Sequence, residues 1–74
     1  MTEELDARGL KCPLPVLKLR KRLAALPPGA RLRLLADDPV AVVDVPHFCR
    51  EAGHSLEETA EADGAQSYLI RRGD

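Results

Sequence analysis

The stretch Gly9–Leu23, GLKCPLPVLKLRKRL, decides how this chain is read. It changes character midway: Pro13 and Pro15 come first, and apolar residues at helical spacing follow. Helix interiors reject proline, whereas helix starts tolerate it, because the first four N–H groups have no intrahelical acceptor. Cys12 is therefore expected at or just before a helix N-terminus, with two neighbours that restrict the backbone around it. Over Pro15–Leu26 the side chains of Val16, Leu19, Leu23 and Leu26 share one face, while Lys18, Lys21 and Arg22 fall on the other and Leu17 lies at the margin.

Working outward, the segment before this helix, from Glu4 to Arg8, alternates Leu5 and Ala7 against charges and reads as an edge-like strand. Gly9 allows a tight turn between the two. Pro27-Pro28-Gly29 ends the helix, and Ala30–Ala36, with Leu32 and Leu34 alternating against Arg31 and Arg33, reads as a second strand. Asp38 is placed as an N-cap with Pro39 at the first helical position, giving one or two turns before Pro46 interrupts. A second helical start follows with Asp44 as its cap, a stripe of Val45, Phe48, Cys49 and Ala52, and Gly53 as terminator. Ser55–Ala62 and Gln66–Arg71 flank Asp63-Gly64, a strong short hairpin signal. The order is β-α-β-α-β-β. It implies an α/β two-layer sandwich: a four-stranded mixed sheet with two helices on one face and the other face open to solvent or a partner.

A chain of 74 residues holds one domain, residues 1–74, with no internal repeat. Trp is absent and Phe48 and Tyr68 are the only aromatics, so the core is aliphatic. The net charge of −1 predicts no polyanionic partner. The charge is divided, however. Residues 1–35 hold eight cations against Glu3, Glu4 and Asp6, and residues 36–74 hold nine acids against Arg50, Arg71 and Arg72. Direct nucleic-acid binding would call for a strongly basic chain or interleaved aromatics, and neither is present. No N-terminal signal pattern occurs and no apolar run approaches the ~20 residues that cross a bilayer, so a cytoplasmic protein without membrane contact is expected. Two cysteines are too few for a secreted disulfide framework, and no C-x-x-C pair suggests thioredoxin-like chemistry.

Cys12 is the candidate for chemistry. The thiolate is the reactive form, and a helix N-terminus favours it through free N–H groups and the positive dipole end. Leu14 and Val16 retain N–H groups that could serve, Lys11 adds a positive charge, and Gly9 keeps the approach open. These features predict a thiol pKa below the ordinary value of about 8.5. The alternative is a small buried hydrophobe under a helix start. Cys49, on the apolar stripe beside Phe48, is expected to be a packed core thiol. His47 is expected on an exposed helical turn and His54 as a cation suited to the helix end. Their spacing with Cys12 and Cys49 matches no standard four-ligand set, so no metal is expected. Lys18, Lys21 and Arg22, with Lys11, form either a solvated face or a docking surface for an acidic partner.

The segment LDARGLKCPLP closely resembles the N-terminal signature of the TusA/SirA-like sulfur carriers, whose mark is Cys-Pro-X-Pro. The resemblance continues through LPPGARLRLLADDP, DVPHFCREAGH and the closing DG…YLIRR, in the same order and spacing. It implies the same two-layer β-α-β-α-β-β sandwich and a sulfurtransferase function in a sulfur relay. Cys12 would accept a sulfane sulfur as a transient persulfide from a cysteine desulfurase or another donor protein. It would then pass the sulfur to a cysteine of a downstream acceptor, with Pro13 and Pro15 shaping the loop and no resident cofactor. Pathways served by such carriers include tRNA 2-thiouridine synthesis, molybdenum-cofactor supply and sulfur oxidation. Selenium or thiosulfate handling would keep the chemistry and change its purpose. Asp38 and Asp44 match recurrent acidic positions and are read as caps. Leu14 fills a variable slot where the best-known tRNA-thiolation members carry Glu, and Gln66-Ser67 replaces a more aromatic pattern. A monomer acting with partner proteins is expected. The alternative from another class is a non-catalytic protein- or RNA-binding module in which Cys12 is structural.

Overall fold

The computed structural model describes residues 2–73; Met1 and Asp74 of the expected 1–74 domain lie outside them. Six elements follow in the order β1 (Thr2–Asp6), α1 (Leu14–Ala24), β2 (Arg31–Ala36), α2 (Ala41–Ala52), β3 (Ser55–Ala62) and β4 (Ala65–Arg71). The strands form one sheet in the order β1-β2-β4-β3. β1 and β2 run parallel, joined through α1, as parallel neighbours require. β4 inserts between β2 and β3 and is antiparallel to both.

The register explains the core. Leu5 stands opposite Leu34, Leu34 opposite Tyr68, and Leu32 opposite Ile70. Because side chains alternate with period two, these residues share one face, and all of them are buried. Both helices cover that face: α1 contributes Leu19 and Leu23, and α2 contributes Ala41, Val45, Phe48 and Cys49. Full burial of each such side chain contributes roughly 1.5–3 kcal/mol. The opposite face carries Arg33, Leu35, Ser67 and Leu69, which are only partly covered. The hairpin turn is the Asp63-Gly64 pair, with φ of 53° and 77°, the left-handed geometry that a two-residue hairpin loop demands.

The structure corrects several sequence expectations. β1 starts and ends two residues earlier than Glu4–Arg8, because the Asp6 carboxylate turns back onto the Arg8 backbone and guanidinium and closes the strand. α1 ends at Ala24, where Ala25 and Leu26 donate to Arg22 and Leu23 and tighten the last turn. The Asp38-Pro39 segment is a turn rather than the start of a helix. α2 begins at Ala41 and passes through Pro46 without a second start. Pro46 removes one intrahelical bond, to the carbonyl of Val42, and Val42 lies on an exposed surface where water can take that carbonyl. Asp44 therefore sits within the first turn of α2 and does not cap it. Ala52 is exposed and does not join the core stripe.

Candidate functional site

Cys12 lies in the loop between β1 and α1, and it is exposed. Two aspartates from the loop after β2 hold this loop in place. Gly9, at φ 85°, donates its N–H to Asp37 Oδ1 at 2.9 Å. The Cys12 N–H donates to Asp38 Oδ2 at 2.5 Å. The other oxygen of Asp38 accepts the N–H of Val40 at 3.1 Å, and its main-chain carbonyl accepts from Ala41. Asp38 thus closes the turn that enters α2 and at the same time holds the cysteine backbone. Those two N–H groups, Cys12 first, hold its carboxyl below the usual carboxylate range.

Asp38 is itself anchored in the interior. Gln66 Nε2 donates to the Asp38 carbonyl at 3.4 Å, and Tyr68 Oη donates to Gln66 Oε1 at 2.8 Å. Gln66 and Tyr68 are buried on β4. A polar chain therefore runs from the sheet through Gln66 and Asp38 to the main chain of Cys12. The sequence reading missed this chain. Gln66 occupies an inward strand position, and its signal was a polar residue at a core place in the alternation.

The thiol is held by a third acid. Cys12 Sγ donates to Asp44 Oδ2 at 2.9 Å. This hydrogen bond, followed by partial desolvation and the negative charges of Asp44 and Asp38, pushes the thiol pKa up. The expectation of a lowered value is overturned. The prolines explain why. Pro13 occupies the N-cap and Pro15 the start of α1, so neither has an N–H to offer the sulfur. The Leu14 N–H, a candidate donor, is taken by the Lys11 carbonyl at 2.8 Å. The nearest strong partner of the thiol is a carboxylate instead.

The remaining expected residues are placed as follows. Lys11 is exposed in the cysteine loop, Pro13 is exposed, and Pro15 is buried in the first turn of α1. Lys18 and Lys21 are exposed on α1, while Arg22 is half-buried and pairs with Glu3 at 3.4 Å. These three line a shallow patch with Leu5, on the β1 side of α1. The first turns of α1 and α2 flank the thiol and expose Leu14, Leu17, Val40 and Val43. A groove of about 310 Å³ opens between the two helices and includes Pro13, Val16, Arg20, Asp44, His47 and Glu51. His47 is exposed on α2, as read from the sequence. His54 differs from its expectation: its Nδ1 accepts the Gly73 N–H at 3.0 Å, and burial first, then the Arg72 charge, lower its pKa. Cys49 is buried, and desolvation pushes its pKa up to about 11. Among the described residues no group of three or more His, Cys, Asp or Glu stands together to hold a metal ion. Among them, too, no helix is long and apolar enough to cross a membrane.

The fold is a small two-layer domain with one exposed thiol beside the first turns of both helices, its backbone held by Asp38 and its sulfur by Asp44. Residues 3–72 match the family model for sulfurtransferase TusA, and the chain belongs to that family of sulfur carriers. It is 43% identical over 70 residues to a putative sulfur carrier protein of Neisseria meningitidis, covering 95% of each chain. It is 41% identical over 70 residues to the sulfur carrier protein TusA of Allochromatium vinosum, covering 95% of this chain and 92% of that one. It also shares 44% identity over 68 residues with the sulfur carrier protein TusA of Pseudomonas aeruginosa. The crystal structure of a SirA-like protein from Desulfitobacterium hafniense superposes with a TM-score of 0.85 at 29% identity, covering all of both chains.

Proposed function

We propose that this protein takes a sulfane sulfur onto Cys12 as a persulfide from a donor protein, a cysteine desulfurase being the expected class. It then passes that sulfur to a cysteine of an acceptor protein, in the cytoplasm. The observation that carries this reading is the Cys12 loop: its thiol is exposed while its backbone is fixed by Asp38. A carrier must meet two partners in turn, so its sulfur stands outside any deep pocket but in a defined direction. A purely structural Cys12 would be covered, and this one is not. The exposed Leu14, Leu17, Val40 and Val43 supply apolar contact area around the thiol. Lys11, Lys18 and Lys21 supply a basic surface for an acidic partner, with Arg22 already committed in part to Glu3.

The test uses a cysteine desulfurase and radiolabelled L-cysteine. Wild-type protein is expected to carry label that a reducing thiol releases, and Cys12→Ser is expected to carry none. Retention of reducible label by Cys12→Ser would refute the assignment.

A further inference from the structure

The site holds its own thiol in the wrong state for the chemistry proposed above. Sulfur transfer needs a thiolate, yet Cys12 donates its S–H hydrogen to Asp44. The titratable groups on the segments around the sulfur are Lys11 in its own loop, Asp37 and Asp38 after β2, and Asp44 and His47 on α2. Of these, only Asp44 hydrogen-bonds Sγ.

Asp38 and Asp44 are not equivalent. Asp38 is buried, with both oxygens engaged by main-chain N–H groups. Asp44 is partly exposed, and it belongs to the wall of the groove between α1 and α2. Asp44, His47 and Glu51 follow one another at i, i+3 and i+7, on one face of α2. Arg20, the cation on the α1 side of the groove, lies over the Phe48 ring at 5.5 Å. The groove therefore presents two α2 carboxylates to whatever enters it, and one of them touches the sulfur.

We propose that Asp44 locks the unloaded Cys12 as a protonated thiol, and that an arginine or lysine side chain of a sulfur-transfer partner, entering the α1–α2 groove, opens the lock by pairing with that carboxylate. The inference rests on Cys12 being the sulfur-accepting residue. Once the carboxylate is engaged elsewhere, the thiol loses its acceptor and the adjacent negative charge is offset, both of which favour ionisation. The thiolate attacks the outer sulfur of the partner's persulfide, R–S–SH. A new S–S bond forms at Sγ, the partner's S–S bond breaks, and its inner sulfur leaves with the electron pair. The Cys12 proton passes to solvent and the departing thiolate takes one up. The sum is Cys12–SH + R–S–SH → Cys12–S–SH + R–SH, with no outside oxidant or reductant. A protonated thiol between encounters also resists oxidation and alkylation, which act on thiolates. Asp44 is in this account a positioning residue that acts through Cys12.

The experiment compares wild type, Asp44→Asn and Asp44→Glu in two measurements. The first is the rate of Cys12 alkylation by iodoacetamide in the free protein across pH, with Cys49 replaced by Ala. The second is the rate of sulfur loading from a cysteine desulfurase with L-cysteine. The lock predicts opposite signs for Asp44→Asn. Alkylation near neutral pH rises severalfold with its pH midpoint moved down, while loading falls by about tenfold because the partner cation has lost its carboxylate. Asp44→Glu returns both rates toward wild type. Equal alkylation in wild type and Asp44→Asn overturns the proposal, and so does a variant slower in both measurements, which would make Asp44 a base. A variant faster in both would remove the partner cation and overturn the gating step. The alkylation measurement involves no sulfur donor. A failure of the sulfur-carrier reading itself would show separately, as loading that survives Cys12→Ser.

Discussion

The two cysteines of this chain have opposite surroundings. Cys12 stands exposed in a loop, its backbone tied to Asp38 and its sulfur to Asp44. Cys49 is 2% exposed on the inner face of α2, in the same cluster as Phe48, Val45 and Ile70. Both thiols have raised pKa values, but for different reasons. Burial alone raises Cys49, and it can be relieved only by unfolding. The hydrogen bond that the Cys12 thiol donates to a surface carboxylate comes first for Cys12, and in the proposed gating a partner relieves it.

The largest effect expected from this contrast is on loading. Cys12→Ser should reduce sulfur loading from a desulfurase to background, whereas Cys49→Ala should load normally while losing some stability. Intact-mass measurement checks both. Loss of loading in a folded Cys49→Ala would break the contrast. A second test enlarges the difference within the core. Leu34→Ala should cost about 2–5 kcal/mol in denaturant unfolding. It should also speed alkylation of Cys49, by raising the unfolded population, and leave the rate at Cys12 nearly unchanged.

A third test cuts the polar chain that links the core to the cysteine loop. Gln66→Leu leaves the buried Tyr68 hydroxyl without its acceptor and removes one of two donors from the Asp38 carbonyl, which keeps the Ala41 N–H. Leaving such a group unpaired costs roughly 1–3 kcal/mol. Thermal unfolding would read the loss, and hydrogen exchange should report a looser Cys12 loop.

Acid should weaken the loop as well. The folded-state pKa of Asp38 is depressed, so its contribution is present above its unfolded value and disappears as pH falls through the folded one. Asp6 behaves in the same way, lowered from 3.8 to about 2 chiefly by its hydrogen bonds to Arg8. Stability measured from neutral pH downward should therefore begin to fall through the histidine range, because His54 has a lowered pKa in the fold, and should fall further below about pH 4. A flat profile below that point would contradict the pairing. The smallest stability effect belongs to Lys18→Glu with Lys21→Glu, within about ±0.5 kcal/mol. That variant should lose much of the salt dependence of its loading rate, if the basic face steers an acidic donor.

Much of the fold was legible in the sequence. The helical stripe Val16–Leu19–Leu23, the alternation around Leu32 and Leu34, and Asp63-Gly64 each carry a local signal, and each element formed where that signal lay. The start of α2 was not legible. Asp38 and Pro39 have the composition of a cap and a first turn, but the Asp38 carboxylate is shared with Cys12, 26 residues away in sequence. Pro46 looked like a break because local rules count the lost N–H, and the packing of Val45, Phe48 and Cys49 holds the helix through it. The cysteine was found from its own motif. Its acids were seen but misassigned, since an aspartate that caps and one that bonds a thiol look alike until tertiary contacts bring them together. The direction of the thiol pKa was misjudged for the same reason: Asp44 is 32 residues from Cys12.

The central claim is that sulfur resides on Cys12 and not on Cys49, and digestion of the loaded protein tests it directly. After loading from a desulfurase with L-cysteine, free thiols and persulfides are capped by alkylation and the protein is cut with trypsin. Cleavage after Lys11 and Lys18 isolates Cys12 in the peptide CPLPVLK, and cleavage after Arg33 and Arg50 isolates Cys49 in LLADDPVAVVDVPHFCR. Mass spectrometry should find one added sulfur atom in the first peptide and none in the second. Added sulfur in the second peptide, or in neither, would contradict the account.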